Sequence, residues 1–236
     1  MLADRIRTRV RPSTAADPYF ANVSLLFHGD EADGSSTVVD SGPLANSSTY
    51  SGATTTTAVK LFGTGSIFQT GASYLSVPSS TAFDFGSGNF TIELAVNINS
   101  VSGNRNILGK YETSATAPFV IYQIGTQVGF YASSNGTGWD LVSNLTFGSS
   151  FAASTWYLLA VTRTGNVYRT FLNGTLVSTA TVSGTLVSNS EPLFFGRGNN
   201  TAPGYWTGWM DEIRITKGIS RYTANYTTQS GPFPNY

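Results

Sequence analysis

The feature that most constrains the fold is an Asn-Gly pair, Asn173-Gly174, placed between two alternating segments. A two-residue type I′ turn requires positive φ at both central residues, and Asn followed by Gly tolerates this well. The flanking segments, VYRTFL and TLVSTATV, alternate in the manner of half-buried strands. The pattern predicts a β-hairpin over residues 167–182.

Further strand-like segments occur along the chain, and each is closed by Gly, Pro or Asn. They are VKLFGTG (59–65), SYLSVP (73–78), DFGSGNFTIELAVNI (84–98), WYLLAVTR (156–163), PLFFGRG (192–198) and YWTGWMDEIRITKGISRY (205–222). Charged residues make up only 11% of the chain, which suits short strands and tight turns better than amphipathic helices. The sequence therefore predicts an all-β, antiparallel fold.

The segment NFTIELAV shows most clearly how one strand divides between two faces. Its larger apolar residues fall on one side and are expected to fill the core; they are Phe90, Ile92, Leu94 and Val96. Glu93 belongs to the other set, with Thr91 and Ala95, and is expected on the outer face of its sheet.

Seven phrases, in order, resemble the laminin-G-like, concanavalin A-like jelly-roll superfamily. They are SLLFHGD, YLSVP, FGSGNFTIELAV, STWYLLAVTRTG, FLNGTLV, EPLFFGR and GWMDEIRI. The resemblance implies a two-sheet β-sandwich, a jelly roll, as one domain over residues 19–223. An extended N-terminal arm, residues 1–18, is expected before it and a C-terminal strap, residues 224–236, after it.

The segments at the two ends of the predicted domain resemble a more specific group within this superfamily. DPYFANVSLLFHGDEADG and ITKGISRYTANYTTQSGPFP are similar to copies of this domain in bacteriophage structural proteins. This resemblance implies a place in the virion, either as a capsid decoration or as a fibre-like component.

The N-terminal arm is basic, whereas the rest of the chain is mildly acidic. The first eleven residues hold four arginines against Asp4, which leaves nine basic and twelve acidic residues elsewhere. An acidic body argues against specific nucleic-acid binding. Cationic and β-branched residues alternate in the arm, as in a strand that joins a partner's sheet. The residues expected to anchor a partner are Arg5, Ile6, Arg7, Arg9, Val10 and Arg11. A solvated basic tail is the alternative interpretation.

Cysteine content and hydrophobic runs indicate where the protein is made and whether it enters a membrane. The chain has no cysteine, so disulfides are excluded, and its start lacks the apolar stretch of a signal peptide. No run of eighteen apolar residues indicates a membrane span. Synthesis in a host cytoplasm followed by assembly into the virion, with no membrane partner, is the expected course.

Carboxylates along the strands do not predict catalysis. Glycosidases of this fold use two or three facing carboxylates, whereas Glu93, Glu112 and Glu212 are isolated here. Asp211 adjoins Glu212, and neighbours on a regular strand point to opposite faces. The sequence predicts a protein that is not an enzyme.

One structural calcium ion is implied by the resemblance. Several relatives hold it with an aspartate that matches Asp211 and with main-chain oxygens near the positions that match His28 and Gly63. Hard oxygen ligands are those that calcium requires. The alternative is that Asp211 only caps the start of its strand.

Aromatic residues in predicted loops suggest a shallow sugar site, because aromatic rings stack on sugar faces while amides and carboxylates bind hydroxyls. The candidate residues are Trp139, Asn135, Asp140, Tyr131, Tyr205 and Trp206. The alternatives are core packing and protein contact, for which the same residue types serve.

The leading prediction is a non-enzymatic virion structural protein that displays a lectin-like jelly roll. Its expected partners are other virion proteins, bound through the arm, further copies of itself, and glycans of the cell surface. The alternative is a free carbohydrate-binding module, or an accessory domain of a polysaccharide-acting system, that needs no arm.

Overall fold

The computed structural model describes residues 16–110, 117–198 and 204–236. Two antiparallel sheets pack face to face over these residues, and the predicted all-β sandwich is confirmed. Helical structure in the same ranges is confined to two 3-10 turns, Phe20–Asn22 and Thr81–Phe83. None of it is long or apolar enough to cross a membrane. The predicted anchoring residues Arg5 to Arg11 lie outside the described ranges.

The first sheet has eight strands. In spatial order they are β13 (Thr175–Thr181), β12 (Val167–Leu172), β11 (Trp156–Thr164), β6 (Phe90–Ile98), β15 (Thr207–Lys217), β4 (Ser66–Thr70) and β3 (Thr54–Thr56), and β1 (Val23–Phe27) also pairs with β15. Strands β4 and β1 share one edge of β15, because β4 pairs with its first half and β1 with its second.

The second sheet has seven strands. In spatial order they are β10 (Val142–Gly148), β9 (Gln127–Ala132), β8 (Phe119–Ile124), β7 (Asn104–Gly109), β14 (Leu193–Phe195), β5 (Tyr74–Val77) and β2 (Thr49–Ser51). The core lies between the sheets, and the predicted inward residues of β6, from Phe90 to Val96, are buried in it.

The Asn-Gly hairpin joins β12 to β13 as predicted. Asn173 and Gly174 both have positive φ, 49° and 78°. The amide of Leu158 donates to the Asn173 side chain (2.8 Å), so the turn is also fixed to the neighbouring strand β11.

The segment VKLFGTG, residues 59–65, is a loop and not the predicted strand. Its amides point to carboxylates rather than to a neighbouring strand: those of Leu61 and Phe62 donate to Asp211, and that of Gly65 donates to Asp30. Gly63 has a positive φ of 57°, which favours glycine and interrupts extended backbone. Pairing therefore starts only at Ser66, where β4 begins.

The C-terminal strap, residues 224–236, crosses the outer face of the first sheet. The amide of Tyr226 donates to the Gly174 carbonyl (2.9 Å), and the amide of Phe233 donates to Glu212 Oε2 (2.6 Å). The phenyl ring of Phe233 is 6% exposed and packs in a small cluster with Val23 and Leu26 of β1. The strap thus covers a sheet face that would otherwise be open.

Candidate functional site

Five charged or phenolic side chains form a buried network where the segments that flank the sandwich meet the first sheet. Arg214 donates from Nε to Glu93 Oε2 (2.8 Å) and from Nη1 to Asp17 Oδ2 (3.1 Å). Arg221 donates from Nη2 to Asp17 Oδ2 (2.7 Å), and the Tyr222 hydroxyl donates to Glu93 Oε1 (2.6 Å). Two carboxylates therefore neutralise two guanidiniums in one connected set.

This network removes Glu93 from solvent. Glu93 points to the outer face of β6, as predicted, but it is only 3% exposed because the strap and Arg214 cover it. Burial on its own would raise the pKa of Asp17, but hydrogen bonds from Arg221 and the Tyr19 amide outweigh it, so the pKa is lowered. The acid that β6 places on the outer face of the first sheet is therefore inaccessible to solvent.

Strand β15 carries a β-bulge at Asp211 and Glu212. The register with β6 shifts between Asp211 and Arg214, and Glu212 has a φ of 48°, which is uncommon for a residue with a side chain. Both carboxylates are buried. The bulge breaks the regular alternation that the sequence suggested, and each carboxylate has separate partners.

Glu212 binds the histidine that follows β1. His28 Nδ1 lies 2.8 Å from Glu212 Oε1. Burial lowers the pKa of His28, but the hydrogen bond to Glu212 and nearby carboxylate charges outweigh it and raise the pKa. The side chain of His28 is therefore occupied in positioning Glu212 beneath the strap.

Asp211, the aspartate expected to bind calcium, has a carboxylate oxygen that could accept a cation. Its Oδ2 accepts two main-chain amides, but Oδ1 is buried and has no hydrogen-bond partner. Burial, opposed by those amides and reinforced by the charges of Glu212 and Asp30, raises the pKa of Asp211 to about 7. Gly63 leaves room for Asp30, since a Cβ at Gly63 would come within 2.2 Å of the Asp30 carboxylate.

The set of side-chain donors around Asp211 is small. No group of three or more His, Cys, Asp and Glu side chains suited to a metal occurs in the described ranges. Calcium at Oδ1 would therefore take its other ligands from main-chain carbonyls and water, which calcium accepts. The buried, unsatisfied oxygen fits such an ion, and Asp211 is the residue that would hold it.

An aromatic surface lies on the outer face of the second sheet. Tyr122 on β8 and Tyr131 on β9 point away from the core, with ring centroids 6.1 Å apart at 89°. Trp139 packs against Tyr131 with a centroid distance of 5.6 Å and is half-buried. Tyr122 was missed by the sequence analysis, although the alternation of FVIYQI places it on the face opposite to Phe119 and Ile121.

The polar residues predicted beside Trp139 shape the loop that carries it. Asp140 Oδ1 accepts from the Ser134 amide (2.9 Å), and Asn135 Oδ1 accepts from the Thr137 amide (2.9 Å). The hydrogen bonds from Ser134 lower the pKa of Asp140 to about 2. Both side chains are exposed, so they lie at the surface next to Trp139 while their oxygens hold the turn.

Tyr205 extends the aromatic surface towards β5. It forms a bridge to Asn106 on β7, whose partner on β8 is Tyr122. Its ring stacks on that of Tyr74, with centroids 6.4 Å apart at 18°. The structure thus places three of the predicted aromatic residues, Tyr131, Trp139 and Tyr205, on one face of one sheet.

The prediction for Trp206 is corrected. Its side chain is fully buried, and its Nε1 donates to Gln123 Oε1 (2.9 Å) in the core. Gly208 lies against the ring, where a Cβ would come within 2.6 Å of an indole carbon. A residue in this position cannot stack on a ligand, so Trp206 belongs to the core.

Two antiparallel sheets packed as a sandwich, with the strap on the outer face of the first and aromatic side chains on the outer face of the second, define a jelly-roll domain. The sequence agrees, because residues 69–219 match the sequence model of the concanavalin A-like lectin/glucanases superfamily. The chain belongs to that superfamily. A search of curated proteins found no match to the sequence.

Several solved structures share this fold. The binding domain of Paraclostridial Mosquitocidal Protein 1 is 10% identical with a TM-score of 0.66, and 86% of this chain covers 50% of that one. The botulinum neurotoxin serotype D/C VPI 5993 binding domain has 14% identity, a TM-score of 0.65, and coverages of 86% and 50%. The binding domain of Botulinum Neurotoxin DC in complex with SialylT is 12% identical with a TM-score of 0.63, and the match covers 86% of this chain and 50% of that one. The chain spans about half the length of these structures.

Proposed function

We propose that this protein is a non-enzymatic structural component of a phage virion that displays a glycan-binding jelly roll. The observation that carries the binding role is the aromatic surface, where Tyr122, Tyr131 and Trp139 meet on a sheet face outside the core. The rings of Tyr122 and Trp139 are half-buried over the buried ring of Tyr131, and such rings with adjacent amide and carboxylate groups suit the stacking of sugar rings. A neighbour of the same fold is a binding domain in complex with SialylT, which is consistent with this role.

The absence of turnover is part of the proposal. Hydrolysis of a glycoside in this fold requires two facing carboxylates that reach the substrate. Glu93, on the central strand of the first sheet, is bound by Arg214 and Tyr222 under the strap, and Glu212 is held by His28. These contacts support binding without hydrolysis.

The virion role is supported by the phage-like outer segments and by the basic arm. The measurement that tests it is the mass of the full chain by light scattering, with and without residues 1–15, a truncation that keeps the buried Asp17, together with detection of both forms in purified phage particles. We expect the full chain to form multimers and enter particles, and the truncated chain to do neither. A monomer that still binds glycans would favour the alternative, a free carbohydrate-binding module.

Glycan binding is tested with the same full chain on a glycan array, followed by titration of the best ligand. Trp139→Ala is expected to weaken that affinity about five- to thirtyfold, since losing a stacked aromatic ring costs about 1–2 kcal/mol. Arg169→Ala, on β12 of the first sheet, is the matched surface control and is expected to bind like the unaltered chain. Equal affinity of the Trp139 variant would remove this surface from the site.

We also propose one structural calcium ion at Asp211 Oδ1. Calcium at a hundredfold excess over its dissociation constant is expected to stabilise the protein by about 2.7 kcal/mol, which raises the melting temperature by several degrees. Asp211→Asn should lose this response, whereas Asp40→Asn, which alters a buried carboxylate bound by the amides of Leu26 and Gly42, should keep it. A melting temperature that is the same in calcium and in chelator would contradict the site.

A further inference from the structure

A groove of about 270 Å³ lies beside the point where the chain enters the sandwich. One wall is formed by His28 and Asp30, and the other by the end of the C-terminal strap, residues 232–236. The amide of Asp17 donates to the carbonyl of Tyr236 (3.0 Å). The N-terminal arm is therefore joined to the domain at the rim of this groove.

The groove presents the carboxylate of Asp30, with the imidazole of His28 on the same wall. Asp30 is exposed, and its Oδ1 accepts the amides of Thr64 and Gly65, while no residue in the described ranges donates to its Oδ2. Asp30 also starts an acidic loop that includes Glu31 and Asp33. A cationic group in the groove would meet a carboxylate oxygen that still accepts hydrogen bonds.

The arm has the complementary chemistry. Its four arginines occupy alternate positions from Arg5 to Arg11, so an extended arm presents all four guanidiniums on one side. A guanidinium binds a carboxylate in a planar, two-pronged geometry and stacks on aromatic rings. Tyr236, which is 58% exposed, also lines the groove.

We propose that this groove is the docking site for the arginine side of the N-terminal arm of a second copy of this chain. The inference rests on the proposed anchoring role of the arm and identifies the surface that receives it. Each arm starts beside its own groove, so two copies that meet at these rims around a twofold axis can exchange arms. The 15 residues that precede Ala16 span up to about 50 Å when extended, enough to reach the neighbouring groove.

The test is the dissociation constant for self-association of the full chain, measured by sedimentation equilibrium in low salt with a chelator present. Asp30→Asn keeps an oxygen for the Thr64 and Gly65 amides but removes the charge, and it is expected to raise the constant at least about tenfold. Asp33→Asn is the matched control, since Asp33 accepts the Thr57 amide (2.9 Å) in the same loop and does not line the groove. Its constant should change by less than about twofold.

Charge reversal provides a second, independent test. Asp30→Arg should weaken association, and its combination with Arg7→Asp and Arg9→Asp should restore it, which a misfolded variant would not do. Association that ignores Asp30→Asn but is lost when residues 1–15 are removed, which keeps the buried Asp17, would overturn the groove and retain the anchoring arm. Association that ignores the truncation, or a full chain that stays monomeric, would overturn the anchoring role as well.

Discussion

Replacing Arg214 with alanine is expected to lower the free energy of unfolding by about 3–5 kcal/mol, because it leaves buried carboxylates without their partner. Glu93 would lose two hydrogen bonds, from Nε (2.8 Å) and Nη2 (3.1 Å), and Asp17 would lose one. The guanidinium also lies 3.7 Å from the centroid of the Phe233 ring, so the variant should loosen the strap as well. Urea denaturation, followed by tryptophan fluorescence, gives the change.

The matched control for this prediction is Arg169→Ala. Arg169 lies on β12 of the same sheet, is only partly buried, and donates a 3.3 Å hydrogen bond to Thr164. Its removal should cost less than about 1 kcal/mol. If both variants lost the same small amount, the network would not be the element that fastens the strap.

A second variant separates charge from packing in this network. When a whole buried ion cluster is replaced by apolar residues of similar volume, the change in stability is often neutral or favourable. Combining Arg214→Met with Glu93→Leu still leaves Asp17 paired with Arg221 through two hydrogen bonds (2.9 and 2.7 Å). The double variant is therefore expected to recover part of the stability that Arg214→Ala loses.

Local patterns in the sequence predicted the fold well, because strands and tight turns are encoded by neighbouring residues. The turn at Asn173-Gly174 depends only on the φ angles that these two residues can adopt. The alternation from Phe90 to Val96 depends only on one face of the sheet being buried. Both were confirmed. VKLFGTG failed as a strand because its amides serve Asp211 and Asp30, which are distant in sequence and leave no local signal.

The candidate site was harder to predict because it depends on contacts between distant segments. Asp17 and Arg214 are 197 positions apart, and no periodicity links them. Trp206 and Trp139 both occur in glycine-containing polar segments, so composition alone does not separate a core indole from a surface indole. The partner of Trp206 is Gln123, which lies 83 positions away on β8.

The aromatic surface, in contrast, could have been predicted from a local sequence pattern. Tyr122 and Tyr131 lie in two adjacent alternating segments separated by Gly125-Thr126, a hairpin pattern. Treating residues 119–132 as a hairpin would have placed both rings on the outer face. Tyr122 was overlooked because residues 119–132 were not predicted as two strands, and the alternation of a strand decides which of its aromatic residues face outward.

Trp206→Ala is expected to lower the free energy of unfolding by about 3–5 kcal/mol, as large-to-small changes of aromatic residues in a core do. The indole is fully buried, and its loss would also leave Gln123 Oε1 without the Nε1 donor. Trp206→Phe keeps most of the apolar volume, so its cost should fall to about 1–3 kcal/mol, the penalty for one unpaired buried polar atom. Urea denaturation of both variants gives the two values.

The comparison with Trp139→Ala decides whether binding and stability reside in different tryptophans. Trp139 is half-buried against Tyr131, so its truncation is expected to cost less stability than that of Trp206 while reducing glycan affinity. Below its unfolding transition, the Trp206 variant should bind glycan with the affinity of the unaltered chain, because its ring never reaches the aromatic surface. Loss of affinity in a folded Trp206 variant would mean that the ligand site extends to the core side of the second sheet, contrary to the burial of that indole.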